Sequence, residues 1–374
     1  MKLEPFAMER MQSTWENRVA CNLSESGVHP MTVEELLPPA ERAELLRERL
    51  VYVQSNGTEE LREAVARLHA GARPENVTVA NGTAEANFIA AWRLVEPGDE
   101  VVLVLPNYMQ LWGVVRGFGA TVVPVRLREE AGWGLDGDQL RRAVGPRTRL
   151  VAVCNPNNPT GAILSDAERK EIVSAAGRHG AWILADEVYR GAERDGEETA
   201  TFWGSYDRLL VTGGLSKAYG LPGLRIGWVV GPETAAGELW ARKDYLTISP
   251  GALSDRLARA ALRPEARARI LARTRGILTA NYPVLEEWVR RRGDRFRLVP
   301  PRAGAIAYLR YGWNVNSTEL VGRLREEQSV LVVPGDHFGM DGFLRVGFGN
   351  EPRELRAGLE RIDVVLDRLP APAA

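Results

Sequence analysis

Residues 208–230 read RLLVTGGLSKAYGLPGLRIGWVV. Two apolar runs, RLLVTG (208–213) and RIGWVV (225–230), flank a glycine-rich segment that carries one lysine, Lys217. An arginine, Arg225, follows eight positions later. Short runs that are apolar at successive positions read as strands covered on both faces. Gly220 and Gly223 permit a sharp turn between them. The segment therefore presents a lysine and an arginine at the joint between two buried strands.

The same pattern continues upstream. EVVLVL (100–105), ATVVPV (120–125), RLVAVC (149–154) and AWILAD (181–186) are further candidate strands. Between them lie helix-like segments such as SDAERKEIVSAAGRHG, with Ser165 as N-cap and Gly180 as C-cap. Alternation of strand and helix implies an α/β fold with a mostly parallel sheet sandwiched by helices. After about residue 232 the pattern changes to long Arg-rich helices and the short strands FRLVP, AIAYLR, VLVVP and FLRVGF, a smaller α+β lobe. The expected division is a large domain over 41–250 and a small one built from 1–40 and 251–374. The tail LPAPAA reads as a short frayed end.

Composition narrows the function. A net charge of −1 over 374 residues argues against nucleic acid or an anionic membrane as partner. The Arg-rich stretch ARARILARTR (266–275) reads as a solvated helix face. No apolar run approaches a membrane span. The N-terminus MKLEPFAMERMQSTWEN lacks the apolar core of a signal peptide, and only two cysteines are present, so a cytoplasmic protein is expected. The four histidines have no metal-ligand spacing. GWGLDG (132–137) matches a dinucleotide-binding pattern, but the charged RLREEA separates it from the preceding strand, so its glycines do not open a helix directly.

Ligands of open α/β sheets bind at the C-terminal strand ends. There this chain places its unusual residues. RLVAVC runs into NPNNPTG (155–161), AWILAD ends in Asp186 and is followed by EVY with Tyr189, RLLVTG leads to Ser216 and Lys217, and NVTVANGTAEA sets Gly82 and Thr83 between strand and helix. A buried carboxylate needs a cation. A lysine shielded from water is a good imine-forming nucleophile. Backbone N–H groups at a helix start, with an arginine beside them, hold phosphate. An aldehyde, a protonated ring nitrogen, a ring oxygen and a phosphate together describe pyridoxal 5′-phosphate (PLP).

NPNNPTG, the D-E-V-Y element and S-K-x7-R occur in an order and spacing that resembles the class I/II aminotransferases of fold type I, the aspartate-aminotransferase-like PLP enzymes. The resemblance covers nearly the whole chain. It implies that Lys217 is the Schiff-base lysine and catalytic acid/base. Asp186 pairs with the ring nitrogen, and Asn158 and Tyr189 bind the ring hydroxyl. Arg225, Ser216 and the Gly82-Thr83-Ala84 turn hold the phosphate, and Tyr108 stacks on the ring. VYVQSNGTEELREAV resembles the element whose tyrosine, here Tyr52, reaches the phosphate of a neighbouring subunit, which implies a homodimer with shared sites. FLRVGFG resembles the element whose arginine, here Arg345, forks onto the substrate α-carboxylate; Asn158, Gly27 and Val28 are further implied substrate contacts. Gly214 departs from the family's common serine. His29, Trp15 and Trp112 have no assigned role. The implied reaction is transfer of an amino group from an L-amino acid to a 2-oxo acid. The same cofactor residues also serve lyases, decarboxylases and cyclases, so the motifs imply the cofactor more narrowly than the reaction.

Overall fold

A computed structural model describes residues 2–370, so most of the expected frayed tail lies outside the described residues. The larger sheet has seven strands: β1 (Val77–Ala80), β2 (Glu100–Leu105), β3 (Thr121–Arg126), β4 (Thr148–Cys154), β5 (Trp182–Asp186), β6 (Leu209–Gly214) and β7 (Gly227–Val230). Their order is β1-β7-β6-β5-β4-β2-β3. Every residue of β1, β6 and β7 is buried, as sandwiching between helices requires. The pairs from β6 through β3 are parallel; only β7 runs against its neighbours.

That one reversal answers the spacing of Lys217 and Arg225. Strand β6 leaves the sheet at its C-terminal end, and β7 re-enters beside it, with Gly214 paired to Gly227. Lys217 follows the exit and Arg225 precedes the return, so both stand at the same sheet edge. Asp186 ends β5 there too, and the Asn155–Asn158 turn follows β4.

The helices begin and end by ordinary capping rules. The helix Asp166–His179 starts with a capping box between Ser165 and Glu168 and ends at Gly180 in the left-handed conformation, φ 66°. A second sheet of four strands is built from β8 (Phe296–Leu298), β9 (Ile306–Tyr311), β10 (Val333–Pro334) and β11 (Phe343–Gly347). The run VLVVP therefore splits. Val330–Leu331 pairs in parallel with Cys21–Asn22, which stitches the N-terminal segment to the C-terminal half.

The arginine run differs from expectation. It lies in the helix Pro264–Arg291, and its arginines are engaged rather than solvated. Arg267 bonds Glu198 at 2.7 Å, Arg269 donates to the Glu35 and Leu36 carbonyls, Arg273 donates to the His29 carbonyl, and Arg275 faces buried Glu193 at 3.5 Å. These bonds anchor the helix to the segments it covers, which explains why so many charges sit on one helix.

Candidate active site

A cavity of about 260 Å3 opens at the C-terminal edge of the large sheet. It brings together Thr83, Ala84, Tyr108, Asn158, Asp186, Tyr189, Ser216, Lys217, Arg225 and Arg345, ten residues that the sequence places far apart. Among the described residues no group of His, Cys, Asp and Glu could hold a metal ion.

Asp186 is buried. Its Oδ2 accepts from Asn87 Nδ2 at 2.8 Å and its Oδ1 from the Val188 N–H at 3.1 Å. Asn87 in turn accepts from Thr212 Oγ1 at 2.7 Å, so the carboxylate is aimed by a two-residue relay. Among the described residues no cation partners it, and burial holds its carboxyl above the usual range against those two bonds.

Lys217 Nζ is paired with Glu25 Oε1. Burial works against the Glu25 charge, but Lys217 and the Ser26 N–H bring its carboxyl down to about 2. Gly27 lies directly behind the lysine: a Cβ there would sit 3.3 Å from the Ser216 carbonyl and 3.4 Å from Lys217 Cα.

The helix Thr83–Leu94 begins beside this pair with no side-chain cap, so its first N–H groups have no intrahelical partner, and Thr83 and Ala84 line the cavity. Its N-cap Gly82 has φ +92°, and a Cβ on it would run into the Arg225 guanidinium. Arg225 is itself held at φ 51°, a conformation that costs an ordinary residue about 1 kcal/mol. Gly214 now has a reason. A Cβ there would meet Thr83 Oγ1, so threonine occupies the space that a serine would need.

Arg345 is 1% exposed. Its Nη1 donates to Asn158 Oδ1 at 2.9 Å and its Nη2 to the Ser24 carbonyl at 2.6 Å. Its Nε has no partner, and no carboxylate forms a salt bridge with it, among the described residues. Tyr189 donates to Ser26 Oγ at 2.8 Å, and Tyr108 to Glu9 Oε1 at 2.5 Å. Burial pushes both phenols above their ordinary range.

Other expected residues lie elsewhere. Val28 is 3% exposed in the core, against Gly220, and is not among the residues that line the cavity. Gly27 backs the lysine rather than lining the space. Tyr52 is 84% exposed and lines a different, shallow groove. His29 bonds Arg273 and Glu351 outside the cavity. Trp15 and Trp112 stack under arginines, Trp15 under Arg325 and Trp112 under Arg116.

Several wall residues were not anticipated: Glu9, Gln12, Glu16, Glu25, Ser26 and Asn87. The first three belong to or end the helix Ala7–Trp15. Their spacing of three and then four is the signal that could have found them, since it puts all three on one helix face.

Residues 20–362 match the family model for "Aminotransferase class I and II". The chain is 37% identical to capreomycidine synthase of Streptomyces vinaceus over 91% of this chain and 88% of that one. Its structure superposes on a PLP-dependent aminotransferase from Streptococcus suis with a TM-score of 0.92 and 31% identity, covering 100% of both chains. It also superposes on the PLP-dependent cyclase OrfR with a TM-score of 0.88 and 26% identity, covering 98% of both.

The residues fit that cofactor on their own chemistry. A buried carboxylate without a cation suits a protonated ring nitrogen. An uncapped helix start beneath an arginine, with glycine where a Cβ would intrude, suits a phosphate. By geometry and by comparison alike, the chain belongs to the class I and II aminotransferase family, a PLP-dependent family of fold type I.

Proposed function

We propose that the protein is an aminotransferase that moves the amino group of an L-amino acid to a 2-oxo acid. The observation that carries this reading is the gathering of Lys217, cation-free Asp186 and carboxylate-free Arg345 in one cavity. In this reading Asp186 holds the ring nitrogen protonated, and Asn87 and Thr212 keep its carboxylate aimed. Arg225, Ser216 and the Gly82-Thr83-Ala84 turn hold the phosphate. Tyr189 and the amide nitrogen of Asn158 would bind the ring oxygen, and Tyr108 would stack on the ring. Arg345 grips the substrate α-carboxylate with two parallel N–H groups, the geometry that arginine supplies and lysine does not. The bound cofactor supplies an electron sink that makes the substrate Cα–H acidic. Lys217 Nζ would take that proton from the substrate Cα and deliver it to the carbon that carried the cofactor's aldehyde, the net proton shift that amino transfer needs, with Glu25 as its hydrogen-bond partner. The protein is taken to be a cytoplasmic homodimer.

A second reading is cyclisation, elimination or decarboxylation on the same cofactor. The likeness to capreomycidine synthase and to the cyclase OrfR favours its cyclase form. The absorption spectrum of the holoenzyme with single amino acids and no acceptor separates the two. A visible band that bleaches and stays bleached, with pyridoxamine phosphate formed in proportion to sites, is the expected result. A band that returns while ammonia, carbon dioxide or a cyclised product accumulates would establish the second reading. Lys217→Ala abolishes turnover under either; multiple turnover by that variant would remove Lys217 from its role.

A further inference from the structure

The cavity wall holds four carboxylates, Glu9, Glu16, Glu25 and Asp186, and three cations, Lys217, Arg225 and Arg345. In the reading above every cation is already engaged. Lys217 and Arg225 attend the cofactor, and Arg345 the substrate carboxylate. Asp186 has the ring nitrogen. Three carboxylates then remain; Glu25 has Lys217 as its partner, Glu9 accepts from the neutral Tyr108 hydroxyl, and no cation on the wall matches Glu9 or Glu16.

Those three converge from two segments. The helix Ala7–Trp15 with its end residue carries Glu9, Gln12 and Glu16 on one face toward the cavity. Gln12 is buried and pins that face by donating to the Ser24 carbonyl at 3.0 Å, the same oxygen that Arg345 bonds. Glu25 enters from the following segment. Glu9 and Glu16 pair with no cation among the described residues. Burial, then the nearby charges of Glu25 and Glu9, raise the Glu16 carboxyl above its usual range. Gathering like charges is unfavourable in itself. Met8 and Gln12 supply the buried contacts of this helix; Glu9 accepts from Tyr108, and Glu16 has no such bond among the described residues.

An independent feature gives the cluster its meaning. Arg345 is buried, its Nε is unpartnered and its two bonded groups are neutral, so an anionic ligand group belongs at that end of the cavity. A carboxylate bound there carries the rest of the substrate into the space that the three glutamates line. We propose that the substrate is an amino acid whose side chain is itself a cation, an amine or guanidinium, received by Glu9 and Glu16, with Glu25 beside them on Lys217. This rests on the assignment of Arg345 to the α-carboxylate. An acidic side chain meets no unassigned arginine or lysine on this wall.

The test compares L-arginine with L-citrulline, a neutral molecule of nearly the same shape. Dissociation constants are measured by calorimetry on the PLP-loaded enzyme without acceptor, for these two, L-ornithine and L-glutamate. The expected result is tighter binding of arginine or ornithine than of citrulline by about tenfold or more, with glutamate weakest. In Glu9→Gln/Glu16→Gln the ratio of citrulline to arginine constants falls to within about twofold of unity. Equal affinities in the wild type, preference for glutamate, no binding of either cation, or an unchanged ratio in the double variant would each overturn the proposal. The wild-type comparison stands without any variant. Amino transfer seen only with neutral or acidic donors would sink this proposal and leave the reaction intact. Selective binding of arginine with no amino transfer would do the reverse.

Discussion

Asp186 and Glu187 are neighbours at the end of β5, both are buried, and they do opposite things. Asp186 faces the cavity, where in the proposed reading a positively charged ring nitrogen would offset the cost of its burial. Glu187 faces away. Its Oε1 accepts from the Phe202 N–H at 2.6 Å, and its Oε2 has no partner among the described residues. Burial raises its carboxyl to about 7, against the pull of Arg190. A raised carboxyl favours folding at low pH, and that contribution is lost as pH climbs from about 4.5 through about 7. Glu187→Gln keeps the acceptor and removes the charge. It is expected to raise the melting temperature by several degrees at pH 8, from at most about 3 kcal/mol, and to change it little at pH 4.5. Melting curves across that range check this; a difference that does not vary with pH would show that the charge of Glu187 is not the cause. Asp186 was legible in the sequence because it ends an apolar strand. Asn87, which aims it, was not. It sits inside a buried helix face, where a single amide has no periodic signature and its purpose depends on Thr212, 125 residues away.

At the scale of elements, the cofactor end of the site is a junction of three close backbones: the turn after β1, the end of β6 and the start of β7. Glycines allow the approach. A Cβ on Gly227 would fall 2.9 Å from the Gly82 carbonyl oxygen, and one on Gly214 would fall 3.0 Å from the Ile226 carbonyl as well as on Thr83. Gly214→Ser is therefore expected to weaken PLP binding about tenfold by pushing Thr83 and its turn out of place. Thr83→Ala/Gly214→Ser should recover part of that loss, because the side-chain clash goes and the backbone one stays. Cofactor release monitored by absorbance measures both. A double variant no better than the serine variant would mean that Thr83 is not the obstacle. These strand ends were legible because buried strands announce themselves and their exits carry polar residues in apolar surroundings. The helix Ala7–Trp15 was not. It is nine residues long, has no side-chain cap and lies in a segment whose acidic residues look solvated until the cavity beneath them is seen. Val28 shows the converse: its place beside Gly27 was legible, while the burial of its apolar side chain in the core was not.

Across the whole molecule, the expected two-part division is bridged by one apolar cluster. It joins Leu23 from the N-terminal segment, Val79 and Trp228 from the large sheet, and Leu344 and Ile362 from the C-terminal half. The same chain leaves apolar groups outside. Leu46, Leu50, Val51 and Tyr52 are exposed in one segment, and Tyr245, Leu246, Ile248 and Leu253 in another. Leu50, Val51, Tyr52 and Leu253 line a single shallow groove. Exposed apolar surface of this kind marks an interaction site. A second copy of the chain is the occupant that the Tyr52 element implies, with Tyr52 delivered to the partner's phosphate. Sedimentation equilibrium is expected to give twice the chain mass. Leu50→Glu/Tyr245→Glu should shift that mass toward the monomer and release PLP with it. Tyr52→Phe removes only a hydroxyl, so the dimer should persist while PLP affinity falls about tenfold, the effect of losing one hydrogen bond to a charged group. A wild-type monomer holding a full complement of PLP would sink both parts of this argument. A dimer whose PLP affinity ignores Tyr52→Phe would keep the interface and free Tyr52 from the phosphate.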